Sequence, residues 1–239
     1  MLNIKTNRKS LIITIFVHFF IFATLYTIPF FVGHSLFPAL YIDWLPLSIE
    51  RWLIWVVPAL ILIKVFEKEL YISLEDMFTH KVRLKTFLWC LLPAVFYWIL
   101  KLVLAKYFGM SSQGSLAEFA SLQECFARFA QESWYSLVMP AVPEEIVFRA
   151  WILNAFLWNA QTKKQKIIAI VLSNILFAAI HLPFFIFVYK YPLAQILASF
   201  AYVFLVGSIF SIMFMKSKNI ILPIFIHCLW DTFSFTFFG

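Results

Sequence analysis

Clusters of charge divide the chain into apolar stretches at about residues 11–33, 52–66, 86–107, 133–158, 166–188, 193–215 and 219–237. The hydrocarbon core of a bilayer is about 30 Å thick and a helix rises about 1.5 Å per residue, so roughly 20 apolar residues make one crossing. Backbone N–H and C=O groups in hydrocarbon must pair within the protein, so stretches of this length read as helices. Composition agrees, with 63% apolar residues, 20% aromatic and only 13% charged, which excludes a water-soluble globule. The expected fold is therefore all-α, a polytopic membrane helix bundle of about seven transmembrane helices, with six to eight as the range because 52–66 is short. A chain of 239 residues then has no length left for a sizeable soluble domain. Residues 1–132 are expected to form three helices plus an interfacial amphipathic helix, and 133–239 a four-helix core.

A net charge of +7 points to nucleic acid in a soluble chain, but here the placement of the basic residues reports topology and no nucleic-acid partner is expected. With the N-terminus inside, one side collects Lys5, Arg8, Lys9, Lys64, Lys68, Lys81, Arg83, Lys85, Lys163, Lys164, Lys166, Lys216 and Lys218. The other holds Arg51, Lys106, Arg128 and Lys190, and this asymmetry favours an N-in, C-out arrangement. The first apolar segment exceeds the length of a signal-peptide core and has no persuasive small-x-small cleavage site, so it reads as a retained helix. Cys90, Cys125 and Cys228 are dispersed and form no CxxC or Cys/His ligand cluster, which leaves them as packing residues. Between 111 and 132 the chain is most polar. There Ser115-Leu116-Ala117-Glu118 has a capping-box pattern, and Leu116, Phe119, Leu122, Phe126 and Phe129 follow at helical spacing, as in an interfacial helix.

Charge inside the spans is the exception that needs a purpose, because an ionised side chain at bilayer depth costs about 2.5 to 3.5 kcal/mol on insertion scales. Pro143-Glu144-Glu145-Ile146-Val147-Phe148-Arg149 places three such groups together. Glu145 and Arg149 stand one helical turn apart with the acid first, the favourable order for an ion pair. Glu144 has no counter-charge nearby in sequence and lies about 100° round the same helix, free to face a cavity. The next span carries Phe177 and His181 on one face, with Pro183 ending or bending the helix, and the last carries His227 and Asp231 one turn apart. Glu144, His181 and His227 fall at compatible depths along their helices.

Glu144 can take a proton from water, His181 can position that water, and His227 with Asp231 can stabilise an oxyanion. Glu144, His181 and His227 can equally ligate zinc, and spacing does not choose between the two. A lone membrane histidine is more often a helix-to-helix hydrogen bond than a catalyst, and the Glu145–Arg149 pair can serve packing alone. The argument for chemistry is the whole set, clustered in the C-terminal half.

Glu144-Glu145-xxx-Arg149, Phe177-xxx-His181 and His227-xxx-Asp231, in that order on successive helices, resemble the three motifs of the CAAX-protease and bacteriocin-processing (CPBP, or Abi) family of intramembrane peptidases. The resemblance covers about residues 133–239. It implies an endopeptidase of a multi-pass cell membrane protein, by analogy a bacterial plasma membrane, acting on a membrane-associated peptide or protein. It also implies that Glu144 and His181 activate water, that His227 and Asp231 form the oxyanion site, and that Glu145 and Arg149 brace the helix. The family has been described both as metal-independent and as metallopeptidases, so no cofactor is required on the favoured reading and zinc is the alternative. An ionised Asp231 cannot donate to an oxyanion, so its expected task is to orient His227. A catalytically silent protein for bacteriocin self-immunity or control of a partner sensor is the competing reading. A proton-relaying transporter ranks lower, because no repeat or paired broken helices appear.

Overall fold

In the computed structural model, residues 8–36, 49, 51–108 and 117–238 are described, and among them the chain is helical with no strand. Helix α1 is Arg8–Leu36, α2 Trp52–Val65, α3 the short Leu74–Thr79 and α4 Leu84–Phe108. A continuous helical path over 122–156 forms α5, Lys163–Val188 forms α6 with one interruption, and α7 and α8 are Leu193–Ser217 and Ile221–Phe238. Among the described residues, α6, α7, α8 and the Leu84–Val103 part of α4 are long and apolar enough to cross a membrane, and α2 is apolar but shorter.

Prolines shape α2, α5 and α6. Each contains a π-helical turn beside a proline: Trp52–Val56 before Pro58, Leu137–Ala141 around Pro140 and before Pro143, and Phe184–Val188 after Pro183. A proline gives no N–H to the carbonyl four residues back, so the ladder shifts register locally. In α5, Val142 donates to Leu137 O instead of Val138 O, and Pro143 has no N–H for Met139 O. Trp52 Nε1 donates to Val138 O at 2.9 Å and the Arg51 guanidinium to Met139 O at 2.9 Å. The start of α2 is thereby fastened to the middle of α5.

The amphipathic helix begins later than its spacing suggested. Ser115 and Leu116 of the capping pattern lie outside the described residues, and 117–121 are not helical. The working cap is Ser121, whose hydroxyl accepts from Glu124 N at 3.1 Å, and the helix then runs unbroken into the next apolar segment. Phe119 still packs on this region through an edge contact with Phe237, while Arg128 donates to Phe235 O at 3.0 Å.

The main core sits between α2, α5 and α6, where Ile63, Phe148, Trp151 and Leu153 are fully buried. A second cluster joins α4, α7 and α8 through Ala94, Phe210 and Ile226. Asn154 ties α5 to the loop before α3, its Nδ2 donating to Ile72 O at 2.8 Å while Oδ1 accepts from Ile72 N at 2.9 Å. Asn219 does the same beside α8, donating to His80 O at 2.8 Å, and Ile220 N donates to Met77 O. The loops at 66–83, 157–162 and 217–220 thus gather at one end of the bundle, which carries Lys81, Arg83, Lys163, Lys164, Lys166, Lys216 and Lys218.

Candidate active site

The four polar residues expected to act together line one cavity of about 360 Å³: Glu144 from α5, His181 from α6, and His227 with Asp231 from α8. Its wall is otherwise mostly aromatic and apolar, including Phe177, Phe184, Phe210 and Trp230. It runs from His227, in the first half of α8, to Tyr189 at the end of α6, away from Lys163, Lys164 and Lys166.

Glu145 and Arg149 lie behind this wall, with no solvent exposure at either side chain. Arg149 meets Glu145 Oε1 at 3.0 Å, donates from its other terminal nitrogen to Gly207 O at 3.0 Å and lies 4.3 Å over the Phe177 ring. The buried guanidinium has its charge met by Glu145 and one terminal nitrogen hydrogen-bonded to Gly207 O, while its Nε has no hydrogen-bond partner among the described residues. Gly207 makes the approach possible: a Cβ there would lie 2.5 Å from Asn174 Oδ1, 2.7 Å from Phe177 Cδ1 and 3.1 Å from the Arg149 guanidinium.

Glu145 has a second contact that sequence reasoning did not assign. Its Oε1 lies 2.8 Å from His227 Nδ1, while His227 Nε2 faces Asp231 Oδ2 at 3.3 Å and Glu144 Oε2 at 3.9 Å. The imidazole is stacked on Phe210 with ring centres 4.7 Å apart. Asp231 and Glu145 thus face the His227 ring from opposite nitrogens. A ring donating from both nitrogens satisfies both carboxylates.

His181 sits where regular helix ends at Ala179 and a turn leads into the π-helical segment, as Pro183 suggested. Its Nδ1 is 2.8 Å from Phe177 O, so that nitrogen carries the proton and donates. Nε2 is left as the acceptor. The Phe177 and His181 rings meet edge to face at 5.1 Å, so Phe177 links His181 to the buried Arg149.

Arg51 is the residue that spacing missed. By sequence it is one of the sparse basic residues of one side, yet it lines the cavity with a guanidinium nitrogen 3.6 Å from Glu144 Oε1. Glu144 is thus not without a counter-charge; the partner comes from 93 positions earlier in the chain. The available signal was an arginine abutting an apolar segment, which also fits an ordinary helix flank. Tyr202 was missed as well: it lines the cavity, accepts from Trp230 Nε1 at 3.3 Å and donates to the Tyr97 hydroxyl at 2.6 Å.

Among the described residues, no group of three or more His, Cys, Asp or Glu side chains is disposed to hold a metal ion. The zinc set considered from sequence, Glu144, His181 and His227, lines the cavity, but both His227 nitrogens face carboxylates and His181 Nδ1 faces a carbonyl. No curated protein and no solved structure matches the chain. Residues 127–233, which hold all three motifs, match the family model described as Rce1-like, type II CAAX prenyl endopeptidase, so this segment is similar to the CAAX-protease family that the motifs themselves resemble.

Proposed function

We propose that the protein is an intramembrane endopeptidase of the CAAX-prenyl-protease-like type, hydrolysing a peptide bond of a membrane-associated protein or peptide with a water activated by glutamate. The observation that carries this reading is the meeting of Glu144, His181, His227 and Asp231 around one cavity. The family match to 127–233 supports it at the level of reaction class.

Glu144 takes a proton from the attacking water as the oxygen adds to the scissile carbonyl. His181 Nε2 accepts a hydrogen bond from the same water and fixes its approach. The carbonyl oxygen gains negative charge, and His227 Nε2–H, facing Asp231 Oδ2 at 3.3 Å before substrate enters, shares its hydrogen with that oxygen as the charge develops. Asp231 and Glu145 hold the His227 ring from its two sides. The proton on Glu144 then passes to the leaving amine. Arg51 keeps Glu144 from swinging out of the cavity. The aromatic wall excludes bulk water, which strengthens each of these interactions. With the proposed N-in arrangement of about seven spans, the cavity extends toward the outer half of a plasma membrane.

The test compares wild type with Glu144→Ala at matched folded yield, using cleavage of a candidate membrane peptide and metal content of the same purified samples. Cleavage should fall by about 10² or more, the ordinary weight of a general base. Biological effect retained in the Glu144→Ala protein would establish the silent immunity or sensor-regulating reading instead.

A further inference from the structure

A peptide that enters the Glu144 cavity brings its backbone out of water, and each C=O that finds no donor there carries the cost of its lost hydration. Beyond Arg51, Glu144, His181, His227 and Asp231, the hydrogen-bonding side chains on the cavity wall are Tyr135, Tyr189, Tyr202 and Trp230. The Trp230 indole is already engaged, because its Nε1 donates to the Tyr202 hydroxyl at 3.3 Å.

Tyr202 is held in a way that leaves it a hydrogen to give. Its oxygen accepts from Trp230 Nε1 and lies 2.6 Å from the hydroxyl of Tyr97, a residue of α4 that is not on the cavity wall. The Trp230 ring is itself fixed, stacked on Tyr97 with ring centres 4.1 Å apart and meeting Phe210 edge to face at 6.0 Å. In the empty cavity Tyr202 donates to Tyr97. A hydroxyl hydrogen rotates to suit its surroundings, and in a pair of hydroxyls either member can be the donor. Once Tyr97 donates instead, Trp230 and Tyr97 occupy both lone pairs of Tyr202 and its own O–H is released to a new acceptor. Donors feeding the oxygen strengthen the bond that its hydrogen then makes. Tyr202 also remains exposed, so these partners do not bury it.

The place of Tyr202 along α7 says which part of a peptide it meets. Phe210, the ring stacked on His227, follows Tyr202 by about two turns of α7, and α7 begins just after Tyr189. Tyr202 thus stands on the Tyr189 side of His227, beside the path a peptide takes through the cavity.

We propose that Tyr202 is a substrate-binding residue, its hydroxyl donating to a backbone carbonyl of the bound peptide on the Tyr189 side of the scissile bond. This rests on the peptidase reading and adds to it how the peptide is held in register. A bond to a carbonyl that does not react is made equally in the ground and transition states, so it acts on KM and leaves kcat alone. A strut joining α4 to α7 is the competing role, and Tyr97→Phe separates the two because it breaks the same hydroxyl pair from outside the cavity.

The test uses the full-length protein in detergent and a prenylated CAAX peptide bearing a fluorophore and a quencher, the substrate type in the family description. Tyr202→Phe should raise KM about fivefold, the weight of one neutral hydrogen bond, with kcat and the thermal midpoint as in wild type. Tyr97→Phe should change KM by less than about twofold, since it only weakens the support of the oxygen. In a series of peptides with one amide at a time replaced by a trans-alkene, one member should raise KM for wild type but not raise it further for Tyr202→Phe. Should Tyr202→Phe unfold, 3-fluorotyrosine at position 202, nearly isosteric and a stronger donor, carries the test by lowering KM. An unchanged KM in either Tyr202 variant, a fall in kcat alone, or an alkene series without that coupling would overturn the assignment. An equal rise in KM for Tyr97→Phe would show a strut and overturn it as well. Wild type and Glu144→Ala run in the same assay. If wild type does not cleave, or Glu144→Ala cleaves equally well, the peptidase reading falls and takes Tyr202 with it. If Glu144→Ala is silent and Tyr202→Phe matches an active wild type, the Tyr202 assignment falls alone.

Discussion

Gly207 and Arg149 show how much of a buried polar arrangement depends on one missing atom. A methyl group at Gly207 would lie 2.5 Å from Asn174 Oδ1 and push on Phe177, so Gly207→Ala should destabilise by about 1 to 3 kcal/mol, read as a lowered thermal midpoint in detergent. Arg149→Ala leaves the Glu145 carboxylate buried without its arginine partner, and should cost about 3 to 5 kcal/mol. Unchanged thermal unfolding in that variant would remove the bracing role. Glu145→Gln keeps the volume, but its amide cannot carry the charge that Arg149 faces. It should lower cleavage even where the fold survives, because His227 loses an anionic partner. The three motifs were readable because a charge in an apolar stretch stands out in one dimension. Arg51 was not, because its partner Glu144 is reached only through tertiary contact, and an arginine at a helix flank is ordinary.

Helices α5 and α6 are shaped by their prolines more than by their apolar pattern. Pro143 has no N–H to give Met139 O, and the Arg51 guanidinium donates there instead, so the proline that precedes Glu144 also recruits its counter-charge. Periodicity located the apolar segments because 3.6-residue spacing and length are local properties. It placed the start of α5 too early: Ala117 N donates to Phe237 O and Phe119 packs on Phe237 ahead of the helix, and the second Ser-x-x-Glu pattern, at Ser121, supplies the cap. The loop between α2 and α3 is held by Asn154, which both donates to and accepts from Ile72. Asn154→Ala should therefore cost about 1 to 3 kcal/mol and speed proteolysis near residues 66–73. A wild-type digestion pattern would show that the loop is held by other contacts.

At the scale of the molecule, the basic loops share one end of the bundle and the Glu144 cavity extends toward the other. Single cysteines introduced at 163–166 should react only with membrane-permeant thiol reagents in intact cells, in a background where Cys90, Cys125 and Cys228 are replaced. Labelling by an impermeant reagent would reverse the proposed orientation and turn the cavity to the inside. Hydropathy, helical period and desolvation cost act over a few neighbouring residues, so the sequence alone was enough for the helical, membrane-spanning character of the described residues and for the C-terminal positions of the buried charges. The tertiary structure alone decided that Glu145 reaches His227, that Arg51 reaches Glu144, and that Gly207 admits Arg149. Those pairings join helices far apart along the chain, and their distances depend on how bent helices cross, which no local pattern of residues encodes.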